Sequence, residues 1–329
     1  MGSLDIEGKQ YLSGNTVFAD AFNYLLYDGE EVIKPDRLKE LDTTSIAIPY
    51  GNNARVPEQK YRDLLKLWNA MMDDNAIYVI LGAEIQGEIH YGMPVKDALY
   101  DALYDAIGYA KQIEESKRSY KKNGNEDSCA EDAKLSVEND TIKIKLSGGE
   151  FLYGFHRDDK LIPIITAVVY LGDKPWDGPK SLFEMMDVKD ERLFRFLNDY
   201  RINLISLVDM ADDEFEKFHT DLGLAMKVIK HQKEDADRVI METDHRNIDR
   251  DTAFFLNKAV NLGLEYEEKD GEIDMCLAME KKEQRDKITG AIEILRATGS
   301  SENDIVSKIV ENFHVTKEYV ISLLAPKTA

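Results

Sequence analysis

Cysteine is nearly missing from this chain. Two residues, Cys129 and Cys276, among 329 are too few and too scattered for a disulfide framework or a zinc site, and they suit a reducing compartment. Histidine is scarce too, and the six that occur show no metal-ligand spacing. No phosphate-binding loop, dinucleotide fingerprint or G-x-S-x-G turn is present, which removes the commonest nucleotide-dependent and serine-hydrolase chemistries. No apolar run approaches the roughly 20 residues that span a bilayer, and no charged segment leads into an apolar stretch at the start. The expectation is a soluble, cytoplasmic protein with no membrane partner. Positive charge is also in deficit: 42 basic against 63 acidic residues leave a formal net charge of -21. Such a surface repels polyanions, so any contact with nucleic acid has to rest on a local basic patch or on bound metal ions.

What is present is a globular composition, 43% apolar, in a chain long enough for one large domain or two ordinary ones. The opening 14-GNTVFADAFNYLLYDGEEVIKPDRLKEL-41 predicts a helix from Asn15 or Thr16, with Phe18, Phe22, Leu25 and Leu26 on one face and Asp28-Gly29 as its stop. A short strand is expected in 45-SIAIPY-50. In 60-KYRDLLKLWNAM-71 the periodicity fits strand or helix equally. The run 76-AIYVILGA-83, short and rich in Ile, Val and Tyr, reads as a central strand.

A helix should start at Met93-Pro94 and carry Val95, Leu99, Leu103, Ile107 and Ala110 as its apolar face. Residues 116–150 form a polar excursion with one hairpin near 141-TIKIKL-146. The run 161-LIPIITAVVYLG-172 reads as a strand buried on both faces. Another strand is expected in 201-RINLISLV-208, after a helix near 190–198. Helices follow at 212–230, 248–262 and 273–297, then two short ones capped by Ser301 and Thr316. The pattern implies a mixed α/β domain over 1–210, interrupted by the excursion at 116–150, and a helical region over 211–329.

The stretch 82-GAEIQ-86 places Glu84 and Gln86 where a buried strand ends, two residues apart and so on one side of an extended chain. Asp63 lies on the preceding candidate strand. Carboxylates on adjacent strands can share Mg²⁺, which prefers oxygen ligands and retains waters, and this points to metal-assisted phosphodiester hydrolysis.

An Asp-containing strand, then E-x-Q on the next strand, then a helix resembles the PD-(D/E)XK nuclease superfamily. More narrowly, 60-KYRDLLK-66, 82-GAEIQ-86 and 93-MPVKDALYDALYDAIGYAKQ-112 resemble the recombination-promoting nuclease (Rpn) and putative-transposase family. The flanking 18-FADAFNYLLYDGEEVIKPDRLKELDTT-44 and 160-KLIPIITAVVYLGDKPWDGPKSLFEMM-186 extend the likeness over roughly residues 10–210. The resemblance implies an αβββαβ core with a mixed central sheet and flanking helices. It implies Mg²⁺, with Mn²⁺ as a substitute, held by Asp63 and Glu84. Gln86 then stands where the superfamily's lysine usually orients the attacking water, and Asp20 in the first expected helix becomes an accessory ligand. Lys96 and Lys111 become contacts to the phosphates of a DNA substrate.

Two positions depart from the family pattern. Lys96 stands where the family helix has arginine, keeping the charge without the bidentate fork, and Ile85 stands between Glu84 and Gln86 where close relatives often have a polar residue such as asparagine. Gln86 fits the family but carries no charge, unlike the superfamily's lysine.

Each residue also has a plainer use. Glu84 and Asp63 read equally as surface acids, Gln86 as a backbone partner, and Asp20 as an acid favoured by its helix dipole. Asp97, Asp101 and Asp105 recur every fourth residue as a solvated face. Tyr100, Tyr104 and Tyr109 read as helix packing. The basic run 117-KRSYKK-122 is the best candidate for a nucleic-acid patch. Two functions follow as expectations. One is a metal-dependent DNA endonuclease serving recombination, mobile elements or phage defence, for which a homodimer is compatible. The other is a nuclease fold without catalysis that acts as a binding or regulatory module. The stripe Ile288, Ile292, Leu295 suggests in addition a helical tail used for oligomerisation.

Overall fold

A computed structural model describes residues 3–41, 44–47, 58–70, 78–105, 136–138, 141–143, 160–233, 236–241, 247–266 and 271–324. They fall into two compact units, Met1–Phe218 and His219–Ala329. Lys111 and the basic run 117–122 lie outside the described residues.

The first unit opens with α1 (Ser3–Leu12), which periodicity did not reveal, and α2 (Asn15–Tyr27). Helix α2 buries Phe18, Ala19, Phe22 and Asn23, and it stops where expected. Asp28 takes the left-handed conformation and Gly29 follows at φ 92°, where a side chain would meet the Lys217 carbonyl. The Asn23 side chain then clamps the outgoing chain, donating to Ile33 O at 3.1 Å and accepting from Ile33 N at 2.8 Å.

Strands β1 (Leu38–Glu40), β4 (Leu64–Asn69), β5 (Tyr78–Gln86), β8 (Ile164–Tyr170) and β9 (Asn203–Ser206) form a five-stranded sheet in the order β1-β4-β5-β8-β9. The first three pair antiparallel, and β5, β8 and β9 pair parallel. Two hairpins stand apart from it, β2 (Thr44–Ala47) with β3 (Glu58–Tyr61), and β6 (Ser136–Glu138) with β7 (Thr141–Lys143). The stretch 60–71, ambiguous in sequence, is therefore the end of one strand and the whole of another, broken at Arg62-Asp63. Helix α3 (93–105) follows β5. This is the mixed α/β architecture with flanking helices expected of a PD-(D/E)XK-like core.

The two faces of the sheet are packed differently. Strand alternation puts Ile85 and Leu81 on the face approached by α1, where Gly8 lies so close to Leu171 and Ile85 that a side chain would collide with them. The opposite face carries Gly82, Glu84 and Gln86 beside Thr166, Val168 and Tyr170 of β8. There Met93 of α3 joins Val168, Tyr170, Trp176 and Ile202 in one apolar cluster.

Helix α3 is turned the other way from its expected orientation. Val95 and Leu99 are 51% and 42% exposed, while Asp97 is fully buried and Asp101 largely so. Asp97 and Asp101, read from sequence as part of a solvated face, thus lie inward, while Asp105 is exposed as expected. For Asp101 the physical reason is its bonds to Arg62, Thr166 and Tyr200.

Downstream, the helix expected near 190–198 is a 3-10 segment, Glu191–Phe196. The expected helical run 212–230 divides into a 3-10 turn, Asp212–Lys217, and α4 (Leu222–Lys230) in the second unit. That unit continues with α5 (Ala236–Met241), β10 (Asn247–Asp249), α6 (Arg250–Ala259), β11 (Glu272–Asp274), α7 (Met275–Ala297), α8 (Glu302–Phe313) and α9 (Lys317–Leu324). The helices expected at 248–262 and 273–297 are each preceded by a short strand, and β10 and β11 pair antiparallel. Asp249 and Asp274 cap the helices that follow, and Ser301 caps α8 as expected. Ile288 and Ile292 pack with Ile305, Val306, Ile309 and Val320, so the stripe read as an oligomerisation face is consumed inside the unit.

Candidate metal and acid network

Asp63 and Glu84 are brought together by strand register. Leu64 pairs with Ala83, and extending that antiparallel ladder by one residue sets Asp63 opposite Glu84. Glu84 lies within β5 rather than at its exit, because the strand runs on to Gln86, and it is 0% exposed. Asp63 is 5% exposed and sits just before β4. Its Oδ2 accepts from Ile85 N at 3.0 Å, so a side chain takes over the backbone bonding after the strand has stopped. Its Oδ1 lies 3.8 Å from Lys9 Nζ on α1.

The second oxygen of Glu84, Oε2, accepts from Lys96 Nζ at 2.7 Å, while Oε1 has no partner among the described residues. Burial pushes the Glu84 carboxyl above its ordinary range, Lys96 opposes that, and Asp63 reinforces it. Burial works most strongly against the Lys96 ammonium, yet the Glu84 charge and hydrogen bond, joined by the Tyr100 and Asp63 charges, together outweigh it and raise its pKa above the usual value.

Lys96 thus brings to Glu84 the positive charge that Gln86 lacks. Gln86 itself donates from Nε2 to Ile85 O at 2.8 Å, the backbone use allowed for in the sequence. Asp20 is buried on α2, the second helix rather than the first. The charges acting most strongly on Glu84 are those of Lys96, Asp63 and Arg62.

Around this pair lies a network that sequence reasoning did not single out. Arg62, 1% exposed, donates to Thr166 Oγ1 and to Asp101. Asp101 also accepts from Thr166 Oγ1 at 2.8 Å and from Tyr200 OH at 2.5 Å. The guanidinium stacks 5.4 Å from the Tyr100 ring centre and 5.6 Å from that of Tyr104. Gly82 makes room for it, since a Cβ there would strike the Arg62 guanidinium and crowd Thr166. Burial first and the Asp101 bond second raise the Tyr200 pKa far above normal.

Asp97 is 0% exposed, and neither of its oxygens has a hydrogen-bond partner among the described residues. Burial, then the nearby Glu84 charge, pushes its carboxyl up to about 7. The signal that could have exposed these residues is indirect. Arg62 adjoins Asp63 in an apolar stretch, and an arginine there requires a buried carboxylate.

Oxygen donors with an unsatisfied buried carboxylate oxygen suit a hard cation. Mg²⁺ takes one or two protein carboxylates and completes its shell with water and substrate phosphate. Among the described residues no group of three or more His, Cys, Asp or Glu is arranged to hold a metal. A two-carboxylate ion fits that chemistry.

Residues 153–253 match the model of a family described as putative transposase, YhgA-like. The YhgA-like match agrees with the Rpn and putative-transposase resemblance. It runs through β8 and β9 into α6 and leaves Asp63, Glu84 and α3 outside. No curated protein and no solved structure matches the chain. Among the described residues no helix is long and apolar enough to cross a membrane.

Proposed function

We propose that the first unit is a Mg²⁺-dependent DNA endonuclease of the Rpn, transposase-associated type, serving recombination, mobile elements or phage defence. The observation that carries this reading is the juxtaposition of Asp63, at the end of the β4–β5 ladder, with a buried Glu84 that bears a lysine on one oxygen and, among the described residues, no partner on the other. Bound Mg²⁺, or Mn²⁺ in its place, would supply Lewis-acid polarisation of a phosphoryl oxygen and offset the chain's negative charge. Glu84 would hold it, with the Asp63 charge beside it. Lys96, with 24% of its side chain exposed, reaches the surface and presents positive charge to a scissile phosphate, the part that Gln86 cannot play. Arg62, through Asp101, fixes α3 against the sheet and so keeps Lys96 on Glu84.

The test is cleavage of supercoiled plasmid with Mg²⁺ and with chelator, using wild type, Asp63→Asn and Glu84→Gln. Metal-dependent nicking lost in both variants supports the reading; a wild type that leaves DNA intact with every metal sinks it. A second reading, a nuclease fold acting as a binding module, is favoured by one observation. The carboxylates are already engaged, Asp63 with Ile85 N and Lys9, and Glu84 with Lys96. DNA retention in a gel shift without cleavage would select it.

A further inference from the structure

The first shell read from sequence pairs Glu84 with Asp63, but the open oxygens are elsewhere. Both Asp63 oxygens face donors, Oδ2 the Ile85 amide and Oδ1 the Lys9 ammonium. Among the described residues, the buried carboxylate oxygens without a hydrogen-bond partner are Glu84 Oε1, Asp97 Oδ1 and Asp97 Oδ2. Both side chains are 0% exposed, and Glu84 is the charged group that acts most strongly on Asp97. An unpaired carboxylate out of water is strongly unfavourable unless a cation or a donor reaches it. The positive groups nearby are committed in other directions, Lys96 to Glu84 Oε2 and Arg62 to Asp101 and Thr166.

We propose that Asp97 and Glu84 form a two-carboxylate site for a divalent cation on the α3 face of the sheet, with Asp97 as direct ligand and Asp63 acting by charge from across the ladder. The ligand class is a hard, oxygen-seeking ion of the size of Mg²⁺ or Mn²⁺, which tolerates two protein oxygens and fills its remaining positions with water. Asp97 is one residue from Lys96 on the same helix turn, so α3 would deliver a cation ligand and a cationic side chain together. The use of the ion in hydrolysis rests on the reading above, whereas its binding does not.

The experiment is Mn²⁺ titration of the full-length chain by isothermal calorimetry, with thermal melts at each Mn²⁺ concentration, for wild type, Asp97→Asn, Glu84→Gln and Asp63→Asn. The expected result is one Mn²⁺ on the wild type. Affinity should fall at least about tenfold in Asp97→Asn and Glu84→Gln, the scale of losing a group that supports a metal, and less in Asp63→Asn. The Mn²⁺-dependent rise in melting temperature should vanish in Asp97→Asn. If that variant does not fold, Asp97→Ser is read by the same criteria. Wild-type affinity and a full thermal shift in the Asp97 variant overturn the site, as does a wild type that takes up no Mn²⁺. A wild type that binds Mn²⁺ through Asp97 yet cleaves no DNA refutes the nuclease reading and leaves the site standing. Cleavage that is normal in Asp97→Asn but lost in Asp63→Asn does the reverse.

Discussion

Lys96 Nζ stands 2.7 Å from Glu84 Oε2, joining a helix to the middle of a strand through two charges, one of them wholly removed from water. Truncating only the lysine leaves a buried carboxylate without its counter-charge. Lys96→Met should therefore cost about 3–5 kcal/mol in urea unfolding. The double variant Lys96→Met with Glu84→Leu should recover much of that loss, and additive losses would show that the pair is not coupled.

Asp63→Ala and Asp63→Asn should behave differently. Asparagine retains a carbonyl oxygen for Ile85 N, while alanine strands that buried amide at a cost of about 1–3 kcal/mol. Thermal melts of the two variants should separate them, with Asn close to wild type. Equal melting temperatures would mean that the bond contributes nothing.

Gly82→Ala should disturb a residue it never touches in sequence. The new methyl would occupy the place of the Arg62 guanidinium, which has bonds to both Thr166 and Asp101 to lose. Overpacking of this kind costs about 1–3 kcal/mol. The loss should largely disappear when Gly82→Ala is made in an Arg62→Met background, measured by denaturant midpoint.

Alkaline unfolding should carry the mark of two tyrosines. Tyr200 and Tyr24 have pKa values raised above the ordinary 10.0, by burial first and then by bonds to Asp101 and Glu214. Above pH 10 the unfolded chain releases these protons and the folded chain keeps them. The native state then binds more protons than the unfolded one, so stability falls as pH rises. Tyr24→Phe and Tyr200→Phe should each flatten that decline, read from urea midpoints between pH 9 and 11, scales set by the ordinary tyrosine value.

Strands β5, β8 and β9 were legible because long apolar, β-branched runs have few other uses, and α2 because both its face and its stop are written in residues 15–29. Helix α3 misled for a physical reason. Periodicity finds the apolar side of a helix and assumes that side is inward, but here Asp97 and Asp101 face the sheet, and Asp101 meets Arg62, Thr166 and Tyr200, while Val95 and Leu99 face out. Nothing within residues 93–105 encodes that choice; it depends on Arg62 and on the space left by Gly82. The pairing of Asp63 with Glu84 was legible, since strand order and spacing suffice. The attachment of Lys96 to Glu84 was not, because it depends on how α3 is rotated.

The parallel pairing of Ile80 with Ile164 and of Ala167 with Asn203 also sets an order in time. A chain emerging from the ribosome at about 5–20 residues per second presents β4 and β5 well before either parallel partner exists. Until β8 and the segment leading into β9 arrive, Arg62 lacks Thr166, Asp101 lacks both Thr166 and Tyr200, and Glu84 lies on the outer strand of an unfinished sheet. Assembly of the acid network is therefore a late event of synthesis, and a nascent chain stalled before residue 164 would display an open, negatively charged strand edge instead of a folded core.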